Sequence, residues 1–416
     1  MLSNLRKISE LVESRKEEIL KLASDLVKTP SENPPGDHTS IASFVGEYLK
    51  KRGLKIKTYA PKEGKISVIS EIGVSGKRLL FNGHMDTVPV GDRTRWSFPP
   101  LSGEIRNGIL YGRGAADMKG GLAAQMAAQA LLVNFEKELK GSLVLTAVPD
   151  EEIGGELGSK WLVEQGIAKG DACIVAEPSL LRLCRIGEKG VCFVRFTARG
   201  VPSHGSLPMK GRNAILIMMK AIEAAKKLYE ERVPTPPELK RVISASRKML
   251  VEETRVKESA KAMDRCTLNF GVIQGGTKVN VVPESCTLDI DIRIPPGFSS
   301  DQVIKRLEDL LSRNLEEKVE VRAISSTDPT VTSPTEPVVI ALQRHATRIT
   351  QVKPTLFIQP SATDARFFRL SGIPAVSYGP GNGIKYAHAY DEQAPVEQII
   401  QATKIYAAIA LECLSC

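Results

Sequence analysis

The run Leu79-Leu80-Phe81-Asn82-Gly83-His84-Met85-Asp86 decides the fold class. Its first half is apolar and has the length of a buried strand. It breaks at Asn82-Gly83 and leaves a His-x-Asp just past the strand's end. Apolar, β-rich runs of this kind occupy 66–72, 78–82, 143–148 and 171–176, with helical patterns between several of them, notably at 118–137 and 156–166. Strands alternating with helices predict an α/β domain with a mostly parallel sheet flanked by helices.

Working outward, apolar positions at helical spacing (Leu5, Ile8, Leu11, Val12, Ile19, Leu22, Leu26) predict an opening helix over 5–28, stopped by Pro30, Pro34, Pro35 and Gly36. A second helix is expected at 38–52, ending at Gly53. Near Gly187 the pattern changes. A strand at 191–198, a helix at 211–230, strands at 266–274 and 285–294, a helix at 299–313 and a strand at 318–324 follow one another. That β-α-β-β-α-β order is the ferredoxin-like split motif. A Pro-rich break at 233–237 opens a charged helical insertion within it. From 334 the first pattern resumes, with helices at 335–350, 363–371 and 395–413 and strands at 355–359 and 373–378. The expected organisation is a catalytic domain in two parts, 1–186 and 328–416, interrupted by an inserted α+β domain at 187–327.

Composition agrees with this. A chain of 416 residues with 42% hydrophobic and 25% charged residues is long enough for about two globular domains. The net charge of +9 favours anionic partners in general, but the charges are interspersed. The richest stretch, Lys240 to Arg265, mixes its bases with Glu252, Glu253 and Glu258 and reads as a solvated helix face. No basic stripe interleaved with aromatics is present, so nucleic acid is not an expected partner. No apolar stretch approaches the ~20 residues of a membrane span, and the charged N-terminus lacks a signal-peptide core. Seven cysteines, mostly in apolar runs, read as buried thiols of a cytoplasmic protein. Cys413 and Cys416 form a CxxC with no second pair, which is too few ligands for a zinc knuckle.

The chemistry lies in five clusters. His84 and Asp86 follow the strand quoted above. Asp117 sits in the Gly-rich turn Gly112-Arg113-Gly114-Ala115-Ala116-Asp117. Glu151 and Glu152 follow strand 143–148, Glu177 follows strand 171–176, and His388 lies in the loop after strand 373–378. Taken singly, each is weak. A lone His-x-Asp is commonly a capped loop, and a Glu-Glu pair is commonly surface. A Gly-rich turn before a helix can hold a phosphate, although the spacing here does not fit a P-loop. Position unites them, because several stand at the carboxyl ends of parallel strands, the edge along which open α/β sheets bind ligands. Histidines with carboxylates suit Zn²⁺ or a similar metal. Two divalent ions facing two neutral imidazoles, three carboxylates and one hydroxide make a neutral cluster, and a bound metal lowers the pKa of water to about 7. A carboxylate that is not a ligand must take the proton, and Glu151 is placed for it. Asp86 could accept the second imidazole N–H of His84.

These residues are similar to those of the M20 metallopeptidase and aminoacylase family, in the blocks GHMDTVP (83–89), GRGAADMKGG (112–121), PDEEIGG (149–155), AEPS (176–179), GVPSHGSLPMKGRNAI (200–215), GGTKVNVVPESCTLDIDIRIPPG (275–297), ATDARFF (362–368) and AHAYDE (387–392). The resemblance spans nearly the whole chain. It implies two Zn²⁺ per chain, with Co²⁺ able to substitute. Asp117 would bridge them, His84 and Glu177 would complete one site, and Glu152 and His388 the other. Glu151 would be general base and acid for metal-hydroxide attack. A cis peptide is implied at Asp117–Met118. The inserted domain would act as lid and homodimer contact, with His204 reaching the partner's site to stabilise the oxyanion. From the residues alone, His204 is equally a surface histidine. Asn280, Arg293 and Thr363 would touch substrate, and the alternative for Arg293 is a strand-end salt bridge.

The implied reaction removes an acetyl or succinyl group from an amino acid such as N-acetylornithine or N-succinyl-diaminopimelate. A carboxypeptidase or dipeptidase using the same site is the alternative, and a silent binding protein of the same fold is the alternative of another class. Pro360-Ser361-Ala362 replaces a Gly-rich turn carried by many relatives, which leaves acyl specificity open. His38 and His345 match no motif and are expected at the surface.

Overall fold

The computed structural model describes residues 2–415, which divide into two compact units: 2–186 with 332–357 and 363–415, and 187–331 with 358–362. Cys416, and with it the terminal CxxC, lies outside the described residues.

The larger unit is built on one mixed sheet. Its order runs Lys55–Lys62, Lys65–Gly73, Ser142–Val148, Arg78–His84, Ala172–Val175, Ala375–Ser377, Leu183–Glu188. The centre, from Ser142–Val148 to Ala375–Ser377, is parallel, and the flanking strands are antiparallel. Strand Ser142–Val148 is buried along its whole length, as expected for a strand covered on both faces. Successive side chains point to opposite faces. Leu80, Val144 and Cys173 pack against Leu162 and Phe368 from the helices Ser159–Glu164 and Ala365–Leu370. Phe81 meets Tyr406 of the long helix Val396–Leu414, with ring centroids 5.6 Å apart. Helix Gly120–Leu132 packs beside that helix and is buried almost throughout.

Several elements differ from the sequence reading, among them the wholly buried strand Leu183–Glu188, where no strand is predicted. The opening helix is two helices, Leu2–Ser14 and Lys16–Lys28, because Arg15 departs from helical dihedrals and its N–H bonds the Val12 carbonyl in a tighter turn. Strand Lys55–Lys62 has no counterpart in the sequence reading. It is a lysine-rich edge strand with little buried surface, so it carries no apolar run to betray it.

In the smaller unit the sheet order is Thr267–Gly275, Ser285–Ile294, Gly190–Arg199, Val319–Thr327, and every pairing is antiparallel. In chain order that is second, third, first, fourth, the arrangement of the split βαβ motif. Helices Ala214–Glu230 and Ser300–Asn314 pack Ala221, Leu228, Val303 and Leu307 onto Val194, Phe196, Leu288 and Ile290. Ser299 and Gln302 cap the second helix reciprocally. The insertion forms the helix Lys240–Thr254, whose Ser246 hydroxyl accepts the Ile358 N–H at 2.9 Å. Among the described residues no helix is long and apolar enough to cross a membrane.

Candidate metal centre

Register alone gathers three of the five clusters. His84 is the last residue of its strand and is paired with Val148, and Asn82 is paired with Val175. His84, the turn at 149–152 and Glu177 therefore leave the sheet at one edge. Asp117 comes from the irregular helical turn Ala115–Lys119, where its φ of −118° and ψ of 97° depart from helical geometry and its peptide bond to Met118 is cis. His388 is brought alongside by a small antiparallel sheet that pairs Tyr111 with Gln393 and Leu110 with Ala394.

The donors converge on Asp117. Nε2 of His84 lies 3.2 Å from Oδ1 of Asp117 and 3.7 Å from Oε1 of Glu177. Nε2 of His388 lies 3.7 Å from Oδ2 of Asp117 and 2.9 Å from Oε2 of Glu152. Donor atoms of His84, Asp117 and Glu152 all fall within 4.8 Å of one another. The imidazole of His84 is buried, whereas that of His388 is 57% exposed, so the cluster has a closed side and an open side.

Asp86 organises this cluster in a way the sequence did not suggest. The nearest acceptor to Nδ1 of His84 is the main-chain carbonyl of Asp86 at 3.0 Å, and the Asp86 carboxylate stands at 3.5 Å. That carboxylate instead accepts the N–H of Glu151 at 3.3 Å, the N–H of Glu152 at 3.2 Å and the side-chain amide of Asn33 at 2.9 Å. It thereby fixes the acidic turn, in which Asp150 has a φ of 83°.

Electrostatically the site is dominated by crowded, buried carboxylates. Burial, then Asp117, pushes Glu177 up to about 8. Burial, with Glu177, Asp364 and Glu152 adding to it, raises Glu151 well above the usual carboxylate range. The hydrogen bond to Glu152 raises His388 to about 9. Burial opposes protonation of His84, yet Asp117 and Asp86 outweigh it and hold the ring well above its ordinary value. Carboxylates crowded until they retain protons are the natural counterpart of a multivalent cation.

The remaining residues singled out in the sequence fall elsewhere. Thr363 is buried in the larger unit, its hydroxyl accepting the Ala365 N–H at 3.3 Å. In the smaller unit His204 pairs with Val281 and the carbonyl of Asn280 accepts the Gly205 N–H at 2.8 Å, so His204 and Asn280 belong to adjoining segments. Nδ1 of His204 accepts the Ser206 N–H at 3.2 Å and lies 2.7 Å from the Ser206 hydroxyl. Arg293 makes a two-pronged bond to Asp291 at 2.8 and 3.0 Å. His38 and His345 are not surface residues. His345 is buried with Nε2 2.8 Å from Glu412. His38 is fully buried, and burial holds its pKa down despite the nearby Asp86. Polarity misled there: His345 takes Glu412, far along the chain, as its partner, and His38 is buried with neither ring nitrogen hydrogen-bonded among the described residues.

Sequence reasoning also missed Asn33, Asp364 and Glu392. Asp364 accepts the Ser159 hydroxyl at 2.7 Å, and burial pushes it to about 6. Glu392 accepts the N–H of Asp117 itself at 2.9 Å. Its only sequence signal was its place four residues after His388.

Comparison with known proteins points one way. The profile of Peptidase family M20/M25/M40 matches residues 80–412. A Staphylococcus aureus protein named probable succinyl-diaminopimelate desuccinylase is 26% identical over 407 residues, covering 96% of this chain and 98% of that protein. A Bacillus subtilis N-formyl-4-amino-5-aminomethyl-2-methylpyrimidine deformylase is 28% identical over 435 residues, covering 96% and 95%. Among solved structures, an M20 family metallo-carboxypeptidase from Sulfolobus solfataricus superposes with a TM-score of 0.77 at 23% identity, covering 95% of this chain and 98% of that one.

Proposed function

This chain belongs to peptidase family M20/M25/M40 and is a metal-dependent hydrolase of amide bonds; from that premise we propose that it is a dinuclear deacylase. It removes an acetyl or succinyl group from an amino acid of the N-acetylornithine or N-succinyl-diaminopimelate type. The observation that carries the two-ion reading is the sharing of Asp117, whose Oδ1 faces His84 and whose Oδ2 faces His388. A carboxylate offering one oxygen to each of two imidazole-bearing sites could serve two ions at once. His84 and Glu177 would hold one ion, and Glu152 and His388 the other. The imidazole and carboxylate donors suit Zn²⁺, with Co²⁺ as a substitute.

When bound, the ions lower the pKa of water and polarise an acyl oxygen. The chain's own residues do the rest. Glu151 takes the proton from the attacking water and returns it to the leaving amine. Asp86 holds Glu151 and Glu152 by their amides and keeps His84 in place. His204 accepts on Nδ1, which leaves the proton on Nε2 of the neutral ring. That N–H is a donor for a developing oxyanion on the partner chain's substrate. Asn280 and Thr363 act as substrate contacts, and Arg293 grips a substrate carboxylate after exchanging it for Asp291. The homodimer reading is supported by exposed Leu216 and Met219 on helix Ala214–Glu230 and by exposed Val272 and Ile273 on the edge strand Thr267–Gly275. Buried, unbridged thiols at Cys173, Cys184, Cys192, Cys266 and Cys286 support a reducing, cytoplasmic setting.

The names of the Staphylococcus aureus and Bacillus subtilis relatives both describe removal of an acyl group, which supports deacylation over peptide cleavage. The test is a panel of N-acetylornithine, N-succinyl-diaminopimelate and dipeptides, run with elemental analysis. About two ions per chain and turnover of an N-acyl amino acid are expected. Faster cleavage of dipeptides would replace the deacylase with a dipeptidase. An absence of divalent metal would overturn the site.

A further inference from the structure

Arg113 and Glu392 form a buried ion pair, Nη1 to Oε2 at 2.7 Å, with side chains 3% and 1% exposed. Each end of the pair also holds one of the loops that carry metal-site residues. The second carboxylate oxygen of Glu392, Oε1, accepts the N–H of Ala116 at 3.0 Å and that of Asp117 at 2.9 Å. Asp117 is off helical dihedrals, and its N–H is satisfied by this carboxylate. On the other side Nη1 of Arg113 donates to the carbonyl of Ala389 at 2.9 Å, one residue past His388. His388 has a φ of 62°, a left-handed conformation that a residue with a Cβ keeps only when its surroundings impose it. The face of Arg113 lies 5.0 Å from the Trp96 ring, in the loop that descends from His84.

We propose that Arg113 and Glu392 are a positioning pair that sets the separation of Asp117 and His388, and so determines how tightly the ion on the His388 side is held. Pairing alone would use one oxygen and one nitrogen. Here the same groups extend to the amide of one ligand residue and to the carbonyl beside another, so displacement of the pair moves both. Removing one partner leaves the other charge buried and uncompensated. Removing both charges together, with an acceptor retained at 392, isolates the positioning effect. The inference rests on Asp117 and His388 being metal ligands.

The experiment compares full-length wild type with the double variant Arg113→Met/Glu392→Gln and with Arg113→Lys. Each is stripped by chelator, then titrated with Co²⁺ by calorimetry and visible absorption, and the stripped forms are melted. The double variant is expected to bind the weaker of the two ions about 10–100-fold less tightly, the usual cost of losing an outer partner of a ligand. Its Co²⁺ absorption should change in shape, while its metal-free melting stays close to wild type. Arg113→Lys, which keeps the charge without the planar fork, should fall between. Wild-type affinity and an unchanged spectrum in the double variant would overturn the proposal. If the double variant does not fold, Arg113→Lys decides, and an unaltered second affinity and spectrum there overturn it equally. A wild type that binds no Co²⁺ would instead remove the ligand assignment on which the pair depends.

Discussion

The carboxylate of Asp86 accepts the main-chain N–H of Glu152 at 3.2 Å, so the residue that follows His84 by two positions also anchors the acidic turn on the neighbouring strand. Two loops that carry candidate metal ligands are thus tied by one buried side chain.

Asp86→Asn tests that tie. Both oxygens of Asp86 accept amides, one from Glu151 and one from Glu152. An asparagine must turn an N–H toward one of them. Metal affinity or turnover should fall by about 10–100-fold, as for other partners that orient ligands. Chelator competition and kcat on the same preparation measure it, and wild-type values in both would show that the turn holds itself.

Glu151→Gln should leave the ion content unchanged and cost about 10²–10⁴-fold in kcat, the range for losing a general base. Elemental analysis beside steady-state kinetics separates the two effects. Loss of metal along with activity would make Glu151 a ligand instead of the base.

Metal removal should make stability depend on pH. In the metal-free chain Glu177 titrates at about 8, against an ordinary value of 4.5. Its folded pKa is raised, so the folded chain binds more protons than the unfolded one between these values, and stability falls as pH rises through that window. A cation held at Glu177 would replace the proton. Melting of the chelated protein should therefore drop from about pH 5 to about pH 8, more steeply than melting of the metal-saturated protein. Parallel curves would argue against a cation at this carboxylate.

Lys189 has the opposite dependence. Burial lowers it from 10.5 to about 7, and its Nζ donates to the Arg265 carbonyl at 2.9 Å. Between those values the unfolded chain carries the proton and the folded chain does not, so stability rises with pH. Denaturant unfolding of wild type and Lys189→Met should diverge in favour of wild type between about pH 7 and pH 10. A constant difference would mean that Lys189 stays charged when folded.

Much of this is legible in the sequence. The apolar run at Leu79-Leu80-Phe81 and its counterparts gave the sheet, because a strand covered on both faces must be apolar throughout. The edge strand Lys55–Lys62 was hidden because it buries little. The same logic explains the site. His84, Glu151, Glu152 and Glu177 were visible because polar residues interrupt apolar runs at strand ends, Asp117 because it sits in a Gly-rich turn, and His388 because it sits in a loop beside acidic residues. The residues that hold them were not, since Asn33, Asp364 and Glu392 look like ordinary loop polars in sequence.

The sequence by itself determined most of the order of strands and helices, the family and the ligand candidates, because periodicity and residue type are local properties. Only the tertiary structure decided which partner each buried polar group took. His38 and His345 became interior residues, the Asp86 carboxylate turned to the 151–152 amides, and Glu392 took the N–H of Asp117. Those choices are made across separations of tens to hundreds of residues, where the requirement that a buried polar group be paired acts on whatever the fold brings near.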